Sequence, residues 1–320
     1  MREAAFIRKN KLKWKAYEQQ KASGPDSLAD SFIELTDDLA YARTFYPASD
    51  TTSYLNALAG KTHQAIYKNK KEKSNRFVSF WKYELPFLFR QHHRQLGYAF
   101  LIFAVACGIG ALSAALDDTF VRLILGDRYV NMTLENIRNG DPMAVYKSHG
   151  EAEMFLYITF NNIKVSFLAF VLGVFFSVGT FWVLFQNGVM LGAFQYFFYK
   201  QGLLFTSFLT IWIHGTLEIS AIVIAGCAGF VMGNSLLFPK THSRLHSFKQ
   251  GARRGLKIVV GLVPVFLTAG FLEGFVTRHT DMPLALSLFI ILFSAAFILY
   301  YFILYPRSLH RNNATRNTEN

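Results

Sequence analysis

The chain has 320 residues, 52% of them hydrophobic, a formal net charge of +12 and 33 phenylalanines. Such an apolar composition excludes a disordered chain, and the charges are confined to segments between long uncharged runs. Its two cysteines, Cys107 and Cys227, both lie in apolar runs, which excludes a disulfide framework.

Residues 1–94 are polar, with 17 Lys/Arg against 10 Asp/Glu. They read as a small helical region on the cytoplasmic face of a membrane. The opening MREAAFIRKNKLKWKAYEQQ is a basic amphipathic helix with Phe6, Trp14 and Tyr17 on its apolar stripe. A second helix places Leu28, Phe32, Leu35, Leu39 and Ala42 at helical spacing, and Pro47 stops it. A third is predicted to begin near Ser53. The run from Lys68 to Lys73 suits anionic lipid headgroups. Residues 79–98 read as an interfacial helix anchored by Trp81 and Tyr83. The charged start predicts no cleavable signal peptide, so the first apolar run acts as an uncleaved insertion signal.

From Leu96 onward the chain is built for a bilayer, which takes about 20 apolar residues per helix. Residues 96–116, 165–199 and 284–305 carry no charge; 201–239 carry only Glu218, and 256–277 only Lys257 and Glu273. The expected fold is therefore an all-α, polytopic helical membrane protein of about six spans, with five as the rival count. The membrane domain is placed at 95–306 and a cytoplasmic tail at 307–320. Residues 117–157 hold seven acidic and four basic residues and read as an outer loop. Residues 239–257 hold six basic residues and no acid, and read as an inner loop. Both termini then lie on the cytoplasmic side of the membrane. This charge pattern needs three crossings between residues 157 and 239, with turns expected at QNG (186–188) and KQG (200–202). The middle crossing is short.

Inside these runs stand a few polar groups. His214 and Glu218 share a helical face at i,i+4, and the face continues through Ala221, Ala225, Gly229 and Gly233. Small residues let membrane helices approach closely, so this stripe is expected to pack on protein, with the face around Ile224 less constrained. Gly188 and Gly192 form a second small pair. Glu273, and Asn161, Asn162 and Lys164, reach a similar depth from the same side, which predicts one intramembrane polar cluster, with His214 as a partner of the carboxylates and Lys164 or an asparagine completing the pairing. The cluster reads either as a hydrogen-bonded lock between helices or as a proton, ligand or lipid-headgroup site. Catalysis has little support. His214 and Glu218 stand in H-G-x-x-E, which lacks the second histidine of a zinc protease. No catalytic set, metal or cofactor is expected, and nothing resembles a nucleic-acid module.

The runs FNNIKVSFLAFVLGV (160–174), QNGVMLGAF (186–194), HGTLEISAIVIAGCAGFVMG (214–233) and FLEGFVT (271–277), in this order, resemble the stage II sporulation protein M family. ELTDDLAYARTFYP looks like the cytoplasmic extension of its longer members. The resemblance implies importance for Asn162, Asn187, Gly188, His214, Gly215, Glu218 and Glu273. It also implies a membrane scaffold with no catalysis of its own, which holds peptidoglycan-degrading enzymes. The chain departs from the namesake in its long basic N-terminal region and its 41-residue outer loop. Its expected function is thus a non-enzymatic scaffold for membrane or cell-envelope partners, with a homo-oligomer as a further possibility for the small-residue faces. The alternative is a transporter, channel or lipid-handling protein that uses the His/Glu cluster, which a water-filled cavity reaching Glu218 would favour.

Overall fold

A computed structural model of the protein describes residues 1–19, 25–67, 76–147, 150–279 and 282–309. The described residues are helical throughout apart from turns. The lysines at 68–73 and the basic tail beyond Leu309 lie outside the described residues. The chain divides into two compact units, Met1–Arg76 and Phe77–Asn320. Residues 77–94, expected with the N-terminal region, thus belong to the membrane unit.

The first unit contains α1 (Glu3–Gln19), α2 (Pro25–Phe45) and α3 (Asp50–Tyr67). The apolar stripes read from the sequence form its core: Phe6, Trp14, Leu35, Leu39 and Ala42 are buried together with Leu55, Leu58 and Ala59. Trp14 donates its indole N–H to Asp38 at 2.8 Å, and Lys13 sits 2.7 Å from the same carboxylate oxygen. α3 begins at Asp50, three residues before the expected Ser53, because the Ser49 hydroxyl accepts the Thr51 amide at 3.1 Å.

The second unit opens with a short α4 (Arg76–Ser79), a π-helical turn at Phe80–Glu84 and α5 (Leu85–Gln91). Tyr83 is exposed, as a membrane anchor should be. Trp81 instead hydrogen-bonds the Gly261 carbonyl at 3.3 Å, and Tyr301 donates to the Trp81 carbonyl at 2.6 Å. Trp81 is therefore tied to protein, a correction to its expected role.

The following elements are α6 (His93–Leu116), α7 (Asp118–Leu125), α8 (Asp127–Arg138), α9 (Glu151–Val171), α10 (Val178–Lys200), α11 (Leu204–Leu237), α12 (Arg244–Gly261), α13 (Val263–Phe271) and α14 (Leu284–Leu299). A π-helical stretch, Leu272–Thr277, extends α13. Among the described residues, five helical stretches are long and apolar enough to cross a membrane: His93–Leu116, Glu151–Val174, Leu204–Leu237, Arg244–Thr277 and Leu284–Leu309. α10 is the shortfall against six. Its 23 residues lie along α6 and run parallel to it: Gly188 meets Phe103 and Ala106, while Gly192 meets Cys107 and Ala111. α9 and α11 are parallel in the same sense, since Gly173 meets Gly229 and Ser177 meets Gly233. Successive long helices therefore run alternately up and down.

The turns differ from expectation. KQG does turn, with Gly202 at φ +72°. QNG does not: it lies inside α10, where Asn187 donates its side-chain amide to the Val183 carbonyl at 2.8 Å. The turn between α9 and α10 falls at Phe175–Ser177, with Phe176 at φ +52° and Ser177 at φ +70°. The segments placed in loops are also more ordered than expected. Residues 117–147 contain α7 and α8; Val121 and Val130 of these helices, with Met143 of the following turn, pack over Ala114, Ala193, Phe197 and Phe198 at the ends of α6 and α10. Only residues 238–243 separate α11 from α12, which starts at an N-cap where the Ser243 hydroxyl accepts the His246 amide at 3.3 Å.

Candidate functional site

α11 is the central helix; nearly all of its side chains from Ile211 to Gly233 are buried. Ile224 is 3% exposed, so the face expected to be tolerant is also packed. The small-residue stripe is closely packed. Ala221 and Ala225 are fully buried, and a methyl group at Gly233 would meet the backbone of Ser177 and Gly173 at 2.6 and 2.8 Å. The Thr180 hydroxyl, lying against Gly229, donates to the Ala169 carbonyl at 2.7 Å. Glycines here carry out backbone-to-backbone packing of three helices.

At one end of this stripe, three elements converge. α11 supplies His214 and Glu218, α9 supplies Asn162, and the π-helical turn after α13 supplies Glu273 and Thr277. His214 Nε2 lies 3.6 Å from Glu273 Oε2, and His214 Nδ1 lies 2.9 Å from the Thr277 hydroxyl. Asn162 lies beside the Glu218 carboxylate. One ligand atom each from His214, Glu218 and Glu273 falls within 4.8 Å of the others. His214, Asn162 and Glu273 are buried, and Glu218 keeps part of its surface accessible.

Asn161 and Lys164 do not belong to this cluster. Both are exposed on α9, because one turn of helix cannot direct residues 161, 162 and 164 to one side. Of the two alternatives for completing the cluster, the ammonium of Lys164 is thereby ruled out and the asparagine, Asn162, stands beside the carboxylates with His214. Thr277, not anticipated, is the residue that holds the imidazole. Its sequence signal was available, since it stands four residues after Glu273 at the end of FLEGFVT. Gly215 is buried, but a methyl there would make only ordinary contacts at 3.7 Å with Ile211 and Ile219. Asn187 is half-buried and bonded within its own helix. Neither is part of the polar cluster.

The chemistry of the cluster follows from its charges. Two carboxylates at this separation in a low-dielectric interior need a shared proton or a cation between them. An imidazole and two carboxylates are also donors for a divalent metal ion. The order and identity of these elements are matched by a family model. Residues 99–278 match the model for stage II sporulation protein M. The chain belongs to the stage II sporulation protein M family. The matched region covers all three helical segments of the polar cluster. A separate model, for the domain of unknown function DUF8413, matches residues 4–68, within the first compact unit. No curated protein and no solved structure matches this member of the family.

A large cavity, about 1220 Å³, lies on the other side of α11. It is lined by Trp212, Thr216, Ile219, Ser220 and Val223 of α11, with α6 and α14 as walls. By helical periodicity these residues face away from His214 and Glu218. Arg90, His93 and Arg307 border it where α6 begins and the last helix ends.

Proposed function

We propose that this family member is a non-enzymatic scaffold of the bacterial cytoplasmic membrane, multi-pass, with both termini in the cytoplasm, anchoring cell-envelope proteins such as peptidoglycan-remodelling enzymes. The observation that carries this reading is the pairing of a membrane unit locked by glycine contacts with a separate helical unit matched by its own model. A rigid anchor joined to a helical module is an arrangement suited to holding partners. The ordered cap formed by α7 and α8 supports an outer docking platform. Its surface carries an Arg122–Asp127 ion pair at 2.9 Å and an ion pair between Lys200 and Asp118. The basic residues of α12 and the start of α6 gather at the other end, which supports a cytoplasmic side there.

The reading is tested by crosslinking in intact cells and purification in mild detergent of the full chain, of a chain lacking residues 1–76, and of an unrelated membrane protein of similar size. Envelope enzymes should be enriched with the full chain over the unrelated protein. No such enrichment would refute the scaffold.

A second reading, lipid handling, is favoured by the cavity of about 1220 Å³. Its walls are mostly apolar, and arginines stand at one end, the pattern of an acyl chain with an anionic headgroup. Trp212, which lines it, has a buried indole N–H without a hydrogen-bond partner among the described residues. Copurification of anionic phospholipid, reduced by changing Arg90 and Arg307 to Gln, would favour this reading over the scaffold alone.

A further inference from the structure

We propose that His214, Glu218 and Glu273 form an intramembrane binding site for one divalent transition-metal ion, with zinc the best-matched ion. The argument begins with the histidine tautomer. The Thr277 hydroxyl donates its single proton to the Leu272 carbonyl at 3.1 Å. With the proton placed there, the same oxygen accepts from His214, and Nδ1 carries the hydrogen of the 2.9 Å contact. In a neutral imidazole the lone pair then resides on Nε2, the atom that faces Glu273. A hydrogen bond from the second ring nitrogen to a protein oxygen is the outer-shell device that orients metal-bound histidines.

The separation of Nε2 and the Glu273 oxygen points the same way. At 3.6 Å it is too long for a hydrogen bond. Two ligands of one tetrahedral zinc, each about 2.0–2.1 Å from the ion, stand about 3.4 Å apart. The Glu218 carboxylate completes a set within 4.8 Å, a span that small side-chain rotations close. Thr277 supports His214, so one of the three ligands has an outer-shell partner, and Asn162 stands beside a second. With an imidazole lone pair, two ionised carboxylates carry a charge of −2, which one divalent cation neutralises. Lys164, the nearest lysine in sequence to Asn162, is exposed and does not serve.

A separate observation concerns the surroundings. Thr159 and Ser166, one turn on either side of Asn162, are 5% and 0% exposed, and neither hydroxyl oxygen has a hydrogen-bond partner among the described residues. The Thr159 hydroxyl lies against Gly270, one turn before Glu273. Polar groups in a dry lock are paired. Unspent hydrogen-bonding capacity beside the three ligands fits the water that accompanies a bound ion. The π-helical turn under Glu273 and Thr277 is consistent with this use, since an inserted helical residue often marks a functional position.

The test uses the full chain, purified in mild detergent through a tag without histidines, stripped with chelator and re-titrated with Zn²⁺ or Co²⁺. Wild type should take up close to one equivalent of Zn²⁺ by elemental analysis. Bound Co²⁺ should give the visible absorption of a low-coordinate site with nitrogen and oxygen donors, and Zn²⁺ should displace it. Glu273→Gln and Glu218→Gln, similar in shape, should each lose at least about tenfold in affinity. Thr277→Val should weaken binding about 10–100-fold while still saturating at one equivalent. Thr180→Val, about three turns further along α11 beside Gly229, should bind as wild type. Variants are compared only when they elute as a single species. If one glutamine variant fails that criterion, the other glutamine variant and the wild-type cobalt spectrum decide. Wild-type uptake below about 0.1 equivalent would overturn the proposal, leaving a lock held by a shared proton. Equal affinity in wild type and the glutamine variants would also overturn it, by placing the metal elsewhere.

Discussion

Replacing Gly233 with alanine should destabilise the membrane unit, although alanine is the better helix former. The added methyl would sit 2.6 Å from the Ser177 amide nitrogen and 2.8 Å from the Gly173 carbonyl oxygen. Both are backbone atoms and cannot rotate away. Ordinary contact begins near 3.4 Å, so α11 has to retreat by about 0.8 Å from the α9–α10 turn. That retreat also loosens the neighbouring Gly173–Gly229 contact. Overpacking of this kind costs about 1–3 kcal/mol. The control is Gly108→Ala. Gly108 also lies within a membrane helix, and a methyl there meets nothing within 4 Å. Its expected effect is the helix-propensity gain alone, about 0.5–1 kcal/mol. Thermal unfolding in detergent, followed by the loss of the monodisperse gel-filtration peak, should rank Gly108→Ala at or above wild type and Gly233→Ala clearly below it. Equal Tm for the two variants would refute backbone-to-backbone packing of α11.

Other consequences are open to direct measurement. Thr180→Val removes the 2.7 Å bond to the Ala169 carbonyl and should lower stability by about 1 kcal/mol, without changing partner or metal binding. Phe175 and Phe176 are similarly exposed, at 61% and 58%, but only Phe176 has a positive φ. Phe176→Gly should therefore be less destabilising than Phe175→Gly by about 1 kcal/mol, and a reversed order in thermal unfolding would contradict the strained turn. In a chain with Cys107 and Cys227 replaced, a cysteine at position 135 should react with an impermeant thiol reagent in intact cells, whereas one at 246 should not. Labelling at 246 would reject the proposed orientation.

The sequence by itself determined the class of the protein, because hydrophobic length and charge placement act locally and need no partner. Uncharged runs dictated membrane helices, and the alternation of acidic and basic segments matches the alternating helix directions. The i,i+4 spacing of His214 and Glu218 and the small residues after them are properties of one helix, so their shared face was legible. Asn162 and Glu273 were legible as companions only through depth.

Tertiary structure decided which companions meet. Lys164 has the right charge and depth, but its azimuth on α9 sends it outward, while Thr277, four residues after Glu273, is directed to His214 by a π-helical turn. The misplaced turn has a related cause. QNG carries turn-forming residues, yet Asn187 satisfies its amide on its own helix, and Gly188 is needed against Phe103 and Ala106. Phe175–Ser177 carry no turn signal, and the chain reverses there at positive φ because the close approach of Gly173, Ser177, Gly229 and Gly233 fixes where α9 ends and α10 starts. Periodicity along one helix assigns a face. Which neighbour occupies that face depends on contacts between residues far apart in the chain.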